Sequence, residues 1–241
     1  MSQRMNDHGQ PIGEDVLGWK GAVAPTQAPI EGRHCRLEAL EVARHADDLF
    51  AAYGAGEHPE LWTYMPVGPF PTIALLQDWL GAASTSADPL FYAIIDKASG
   101  RAIGIASYLR ITPQAGTIEV GNIAFSPLLQ KTVHATECMY LMMKRAFDEL
   151  GYRRYEWKCD ALNAPSRRAA TRFGFSYDGL FRQALVYKGR NRDTAWYSIL
   201  DQDWALIGAA YEAWLDPSNF DAAGRQKTEL ASFVSQARAA G

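Results

Sequence analysis

The stretch from Gly116 to Gly174 constrains this chain more than any other, because it reads as strand, turn, helix, strand, turn and helix in direct succession. Gly116–Phe125 (GTIEVGNIAF) is rich in β-branched and aromatic residues, and Gly121-Asn122 interrupts its alternation where a bulge or a close backbone approach belongs. After Ser126-Pro127, Ala135, Met139, Met142, Met143, Ala146, Phe147 and Leu150 recur at helical spacing, and Gly151 supplies a stop. Arg154–Asp160 (RYEWKCD) predicts a second strand, and Asn163-Ala164-Pro165-Ser166 opens a short helix that Gly174 closes. A strand feeding a helix feeding a strand is a crossover unit. Its loops lie at the carboxyl end of the first strand, the edge where such sheets bind ligands.

The remaining elements flank this unit. Gly32–Leu40 predicts a first strand, and Glu41–Tyr53 a helix with Ala43, Ala46, Leu49, Phe50 and Tyr53 on one face. Thr72 caps a second helix reaching Ser84, and Leu90–Asp96 with Arg101–Ile111 forms an antiparallel hairpin. Ser176–Lys188 and Asn191–Leu200 alternate around Gly189-Arg190 as a closing hairpin, followed by helices over 201–214 and 223–239. Residues 1–31 are polar and rich in Gly and Pro, which predicts a partly disordered arm, with Val16, Leu17 and Trp19 able to dock. The expected organisation is that arm, one domain over 32–200 and a helical extension over 201–241.

Charge and cysteine usage exclude several function classes. A net charge of −3 gives no general attraction to nucleic acid. The three cysteines, Cys35, Cys138 and Cys159, show neither paired nor metal-site spacing, and no run of about 18 apolar residues is present. A reduced, cytoplasmic protein without metal or membrane association is the expectation.

The turn before the long helix has chemistry of its own. A helix N-terminus presents unpaired N–H groups and about half a positive charge, enough to hold a pyrophosphate without arginines. Lys131, Thr132 and Thr136 are placed to add donors; a plain Thr132-capped turn that binds nothing is the competing reading.

The order of these parts resembles the acyl-CoA-binding core of the GNAT superfamily of N-acetyltransferases, and within it the RimJ/RimL-like branch. Three pieces carry the resemblance: Glu119-Val120-Gly121, Gln130-Lys131-Thr132-Val133-His134-Ala135, and Asn163-Ala164-Pro165-Ser166 leading to Arg172-Phe173-Gly174-Phe175. The family's phosphate loop, Gln/Arg-x-x-Gly-x-Gly/Ala, is matched at Gln130 and Ala135, with Val133 in place of the middle glycine. The resemblance covers residues 32–200 and implies an α/β fold, a GNAT-like mixed, mostly antiparallel twisted sheet with helices on both faces. It also implies acetyl-CoA as co-substrate and a small-molecule or peptide amine as acceptor.

In the family the pantetheine arm lies between the strands read here as Thr117–Phe125 and Arg154–Asp160. That implies cofactor contacts at Ile123, Ala124, Phe125, the turn from Gln130 through Thr136, Asn163 and Ser166. A backbone N–H near Asn122 to Ala124 would serve as oxyanion donor, because a bulge leaves such groups unpaired. The amine arrives protonated and needs a base. Glu119, acting through water, corresponds to an acidic position in RimJ/RimL-like sequences, with Glu156, Asp160 and His134 as rivals. Ser166 is the candidate acid for the departing thiolate, or only a helix cap; the tyrosine that many GNAT enzymes carry on the following helix is replaced by Ala169-Ala170-Thr171.

Gly54–Pro71 sets Trp62, Tyr64, Met65 and Phe70 among four prolines and three glycines. Near the acceptor site, Trp62, Tyr64 and Met65 would form a wall for the amine together with Asn122; otherwise they fill the rim of the core. Cys159 reads as a small buried residue, and Arg190 to Asp193 as a solvated turn or as arginines that recognise an acidic acceptor or a phosphate. Two other functions stay open at this point: a GNAT-shaped module that binds acyl-CoA or a partner without transfer, and transfer of a longer acyl group. A Glu119 side chain pointing to bulk solvent would favour the module. The C-terminal helices are candidates to close a cavity or to pair two copies.

Overall fold

The computed structural model describes residues 4–240. Eight strands, β1 (Ile30–Glu31), β2 (Cys35–Ala39), β3 (Leu90–Asp96), β4 (Ala102–Thr112), β5 (Thr117–Phe125), β6 (Arg154–Asp160), β7 (Ser176–Tyr187) and β8 (Arg190–Leu200), form one sheet. Their order is β1-β2-β3-β4-β5-β6-β8-β7, and every neighbouring pair is antiparallel except β5 with β6. The helices are α1 (Val42–Ala52), α2 (Ile73–Ser84), α3 (Val133–Lys144), α4 (Ala164–Arg172), α5 (Asp201–Leu215) and α6 (Leu230–Ala240). The fold is therefore the mixed, mostly antiparallel α/β sheet with helices on both faces that the sequence implies. Among the described residues, no helix is long and apolar enough to cross a membrane.

Strand alternation sorts side chains between two cores. Tyr108, Ile118, Val120, Tyr155, Trp157, Tyr197 and Ile199 point to one face, where α3, α5 and α6 cover them. Phe91, Ala93, Ile95 and Ile105 point to the other, beneath Leu49 and Tyr53 of α1 and Leu76 and Leu80 of α2. On that second face α1 and α2 cover only the half of the sheet that contains β3 and β4. From β5 onward the same face carries Glu119, Glu156, Lys158 and Asp160, and a cleft lies over Glu119, Lys158 and Asp160.

The cleft exists because β5 and β6 separate. They pair in parallel only from Thr117↔Arg154 to Val120↔Trp157. Beyond that, β5 follows β4 to Phe125, and β6 follows β8 to the pair Asp160↔Thr194. A bulge bends β5 at the parting point: Ser107 opposes Gly121 and Ile105 opposes Ala124, so Asn122 and Ile123 face the single residue Ala106. Asn122 takes the left-handed φ of 48° that asparagine tolerates better than most residues. The fully buried Ser107 fixes the bend, donating its hydroxyl to the Gly121 carbonyl at 3.1 Å and accepting from the Asn122 amide at 2.9 Å. A side chain at Gly121 would meet the end of the Leu109 side chain at 2.8 Å, so glycine there spares Leu109 a shift.

The long helix differs from the sequence reading. It starts at Val133, capped by the Thr132 hydroxyl, while 128–132 form a turn. Its side chains from Ala135 to Met143 are all buried, not only one face, because α5 packs on the side away from the sheet and Tyr140 stacks on Trp204 and Tyr211. Glu137, in the middle of that run, accepts the N–H groups of Arg33, His34 and Cys35 at 2.7–2.8 Å and so anchors the β1–β2 turn. The last helix starts at Leu230 rather than 223, since Phe220 bridges Gln226 and Asn219 bonds to Thr228 across a loop. In the N-terminal segment Trp19 docks, donating to the Gln114 carbonyl at 2.9 Å and lying over Arg153, while Val16 and Leu17 stay exposed.

Ser107→Ala leaves the half-buried Asn122 amide and Gly121 carbonyl without their shared partner. It should destabilise the protein by about 1–3 kcal/mol, read as a fall in Tm of several degrees in thermal unfolding.

Candidate functional site

The cleft between the diverging strands has a volume of about 230 Å³. Its floor comes from β5 (Glu119 to Ile123) and β6 (Trp157 to Asp160), one end from Asn163 and Ser166 of the β6–α4 turn, and its rim from Tyr64, Met65, Leu185, Tyr187 and Arg192. The rim is tied across. The Tyr64 hydroxyl donates to the Leu162 carbonyl at 3.2 Å, and Lys188 and Arg190 of the β7–β8 turn donate to the carbonyls of Trp62, Val67 and Thr63.

Of the residues singled out in the sequence, Glu119, Asn122, Ile123, Asn163, Ser166, Tyr64 and Met65 meet around this cleft. Trp62 does not. It is 3% exposed and packs edge-on against Tyr53 and Phe70, filling the α1–α2 core. Ala124 is buried, its carbonyl accepting the Tyr53 hydroxyl at 3.0 Å, and the Phe125 carbonyl accepts the Gln130 amide at 2.8 Å.

The turn before α3 is organised by Thr132. Its hydroxyl donates to the Leu129 carbonyl at 2.7 Å and accepts from the Ala135 N–H at 3.3 Å. The N–H groups of Val133 and His134, the first two of the helix, have no intrahelical partner. Val133 packs partly against the main core, and Lys131 takes a left-handed φ of 61°. Two residues expected to face a phosphate point elsewhere. The His134 ring lies 3.2 Å from Asp96 and edge-on to His34. Thr136 is 1% exposed with its hydroxyl accepting both terminal nitrogens of Arg172 at 3.1 Å, because the fourth residue of the helix faces inward.

Charge on the open face is arranged in a row. Arg154 pairs with Asp178 and with Glu156 at 2.7 Å; Lys158 reaches Glu156 at 2.7 Å and Glu119 at 3.0 Å; Arg110 reaches Glu119 at 2.6 Å. Arg110 itself takes a left-handed φ of 47° in β4, and its N–H and that of Ile111 are held by the Asp88 carboxylate. Lys158, its side chain only 5% exposed, lies 3.7 Å above the Trp196 ring. The two carboxylates that share Lys158 are driven apart. Burial pushes Glu119 above the ordinary glutamate value against the opposing pull of Lys158 and Arg110. Glu156 is also raised by burial, but its bonds to Arg154 and Lys158 outweigh that and hold it below.

Around the other end, Ser166 accepts from the Trp157 indole at 3.0 Å, and Asn163 caps α4 through the Ser166 N–H at 3.1 Å. Burial raises the Cys159 thiol, so it stays protonated and is a poor nucleophile. Asp160 accepts from the Leu162 N–H at 2.8 Å and from the Tyr187 hydroxyl at 2.7 Å; burial, with that bond, pushes the Tyr187 phenol up to about 12. Arg110, Lys158 and Tyr187 were not singled out by the sequence. Only the alternation of RYEWKCD, with charges at every second position, hinted at the row.

The acetyltransferase (GNAT) domain family matches residues 35–176. An uncharacterised N-acetyltransferase, p20, of Bacillus licheniformis is 26% identical over 173 residues, 70% of this chain and 96% of that protein. The crystal structure of a GCN5-related N-acetyltransferase from Brucella melitensis is 48% identical and superposes with a TM-score of 0.89 over 91% of this chain and 100% of its own. A probable GNAT-family acetyltransferase from Chromobacterium violaceum is 39% identical, with a TM-score of 0.75 over 81% of this chain and 98% of its own.

Because Lys158 opposes the effect of burial on Glu119, replacing it by Met should raise the Glu119 titration midpoint further. Carboxyl-selective ¹³C NMR across the acidic range reads this directly: above the ordinary glutamate value in wild type, higher again in Lys158→Met.

Proposed function

This chain belongs to the GNAT family of acetyltransferases and is one of its N-acetyltransferases, and from that premise we propose that it moves an acetyl group from acetyl-CoA directly to a primary amine in the cleft between β5 and β6. The acceptor is a small molecule or a peptide or protein N-terminus, and the chain takes its place in the RimJ/RimL-like branch through Glu119-Val120-Gly121 and the Gln130–Ala135 turn. One observation carries the reading: a buried carboxylate of raised pKa, Glu119, sits where two parallel strands stop pairing.

The separated strands offer backbone edges that an extended amide chain can pair with, as an added strand does. That is the role assigned to Ile123 to Phe125, with Asn163 and Ser166 across the gap. The first N–H groups of α3, at Val133 and His134, would face the pyrophosphate, with Gln130, Lys131 and Thr132 around them; the family uses acetyl-CoA, and these residues fit it. Glu119 accepts the proton of the incoming ammonium through water. Its two cationic neighbours favour the ionised form that accepts it, opposing the effect of burial. A backbone N–H in the Asn122 bulge stabilises the oxyanion as the carbonyl carbon becomes tetrahedral. The thiolate leaves and takes a proton from solvent water relayed through the Ser166 hydroxyl, which gives one proton and regains one, its oxygen held in place by the Trp157 indole. Tyr64, Met65 and Asn122 contact the acceptor.

Glu119→Gln preserves shape and removes the base. With an accepted amine and thiol release as readout, kcat should fall by about 10²–10⁴-fold while acetyl-CoA binding persists. In wild type, kcat should decline as pH falls through a midpoint above the ordinary glutamate value, because a protonated Glu119 cannot accept a proton, and the variant should lack that limb. A variant with near wild-type turnover would remove Glu119 from the mechanism.

A further inference from the structure

Resting on the N-acetyltransferase reading, we infer that the acceptor amine also carries an oxyanionic group, a carboxylate or a phosphate, which Arg192 binds at the outer end of the cleft. Five charged side chains line that cleft: Arg110, Glu119, Lys158, Asp160 and Arg192. Four of them are answered within the protein. Glu119 holds Arg110 and Lys158, and Asp160 accepts from the Tyr187 hydroxyl and the Leu162 N–H.

Arg192 differs. Among the described residues, no carboxylate oxygen lies within 4.0 Å of its guanidinium, which donates through Nε to the neutral Thr194 hydroxyl at 3.1 Å. The Tyr187 ring flanks it, with the guanidinium carbon 5.8 Å from the ring centre. The Nε bond and the ring therefore orient the planar group, while its two terminal nitrogens remain for a ligand. Those nitrogens form the edge of the fork that meets a carboxylate or phosphate with two parallel bonds.

The face of the sheet assigns the group to the acceptor. Thr194 pairs with Asp160 at the end of β6, so Arg192 stands one pleat further out on the same face as Asp160 and Lys158. Glu119 lies deeper on that face, whereas α3, whose first turn is proposed above for the pyrophosphate, packs against the opposite face of the sheet. A molecule with its amine near Glu119 and its anion directed outward meets opposite charge at both ends.

The test uses amines in matched sets that share a carbon chain and end in a carboxylate, a phosphate monoester or a neutral amide. In wild type, kcat/KM for an anionic member should exceed that of its amide by at least about tenfold. Arg192→Gln should collapse that ratio to near one, and Arg192→Lys should restore part of it. Equal use of anionic and neutral amines by wild type, or an unchanged ratio in Arg192→Gln, overturns the inference and leaves the transferase reading standing. Calorimetry of the N-acetylated products in the presence of CoA needs no turnover. Tighter binding of an anionic product to wild type than to Arg192→Gln, by about tenfold, supports the Arg192 site even if no thiol is ever released, a result that would sink the transferase reading alone. Failure of every anionic product to bind wild type overturns the inference.

Discussion

The parting of β5 from β6 after Val120 and Trp157 is the constraint on which the rest of the structure depends. Each strand has a firm partner on its far side, β4 for β5 and β8 for β6, so the sheet opens at its one parallel seam without losing its outer pairings. The bend that opens it is local: a left-handed Asn122, a glycine at 121 beside the tip of Leu109, and a buried serine that uses both its donor and its acceptor. Opening the seam exposes strand edges and places the N-terminus of α3 at one end of the gap. It also brings residues of opposite faces together, so that Trp157 and Cys159 line the same cleft as Glu119 and Lys158.

The charge row on the open face is not explained by stability. A buried ion pair returns roughly what its desolvation costs, and apolar replacements are often neutral or stabilising. Yet Lys158 and Glu119, both almost fully buried, are held between further charges on either side. The consequence is chemical. Sharing one lysine, Glu119 and Glu156 are pushed in opposite directions, which is the separation of proton affinities that the base role proposed for Glu119 requires. Asp88 belongs to the same arrangement at one remove, since it holds the backbone that aims Arg110.

Much of this was legible in the sequence because it is encoded locally. The crossover unit, the caps at Thr72 and Thr132, the Gly121-Asn122 irregularity and both hairpins follow from residue type and spacing within a few positions, whereas the cap of α4 is Asn163 and not Ser166. What was not legible depends on contacts far apart in the chain. Glu137 looks like the solvent face of a helix until residues 33–35 fold onto it. Trp62 and Tyr64 are neighbours in one aromatic loop, which has no periodicity to say which turns inward; Trp62 went to the core and Tyr64 to the rim. Thr136 is taken by Arg172, thirty-six residues on. Arg110 and Lys158 meet at Glu119 only through the register of three strands, which spacing along one strand does not reveal. The start of α6 was misplaced because the 219–228 loop closes on itself through Asn219.

The central claim is that the opened seam and the first turn of α3 form one acetyl-CoA site. Calorimetric titration of acetyl-CoA into wild type and into Gln130→Glu, Lys131→Glu, which places two negative charges at that turn, tests it most directly. One-to-one binding by wild type, weakened at least about tenfold in the folded variant, is the result the structure predicts. A folded wild type that does not bind, or a variant that binds as tightly, would contradict it.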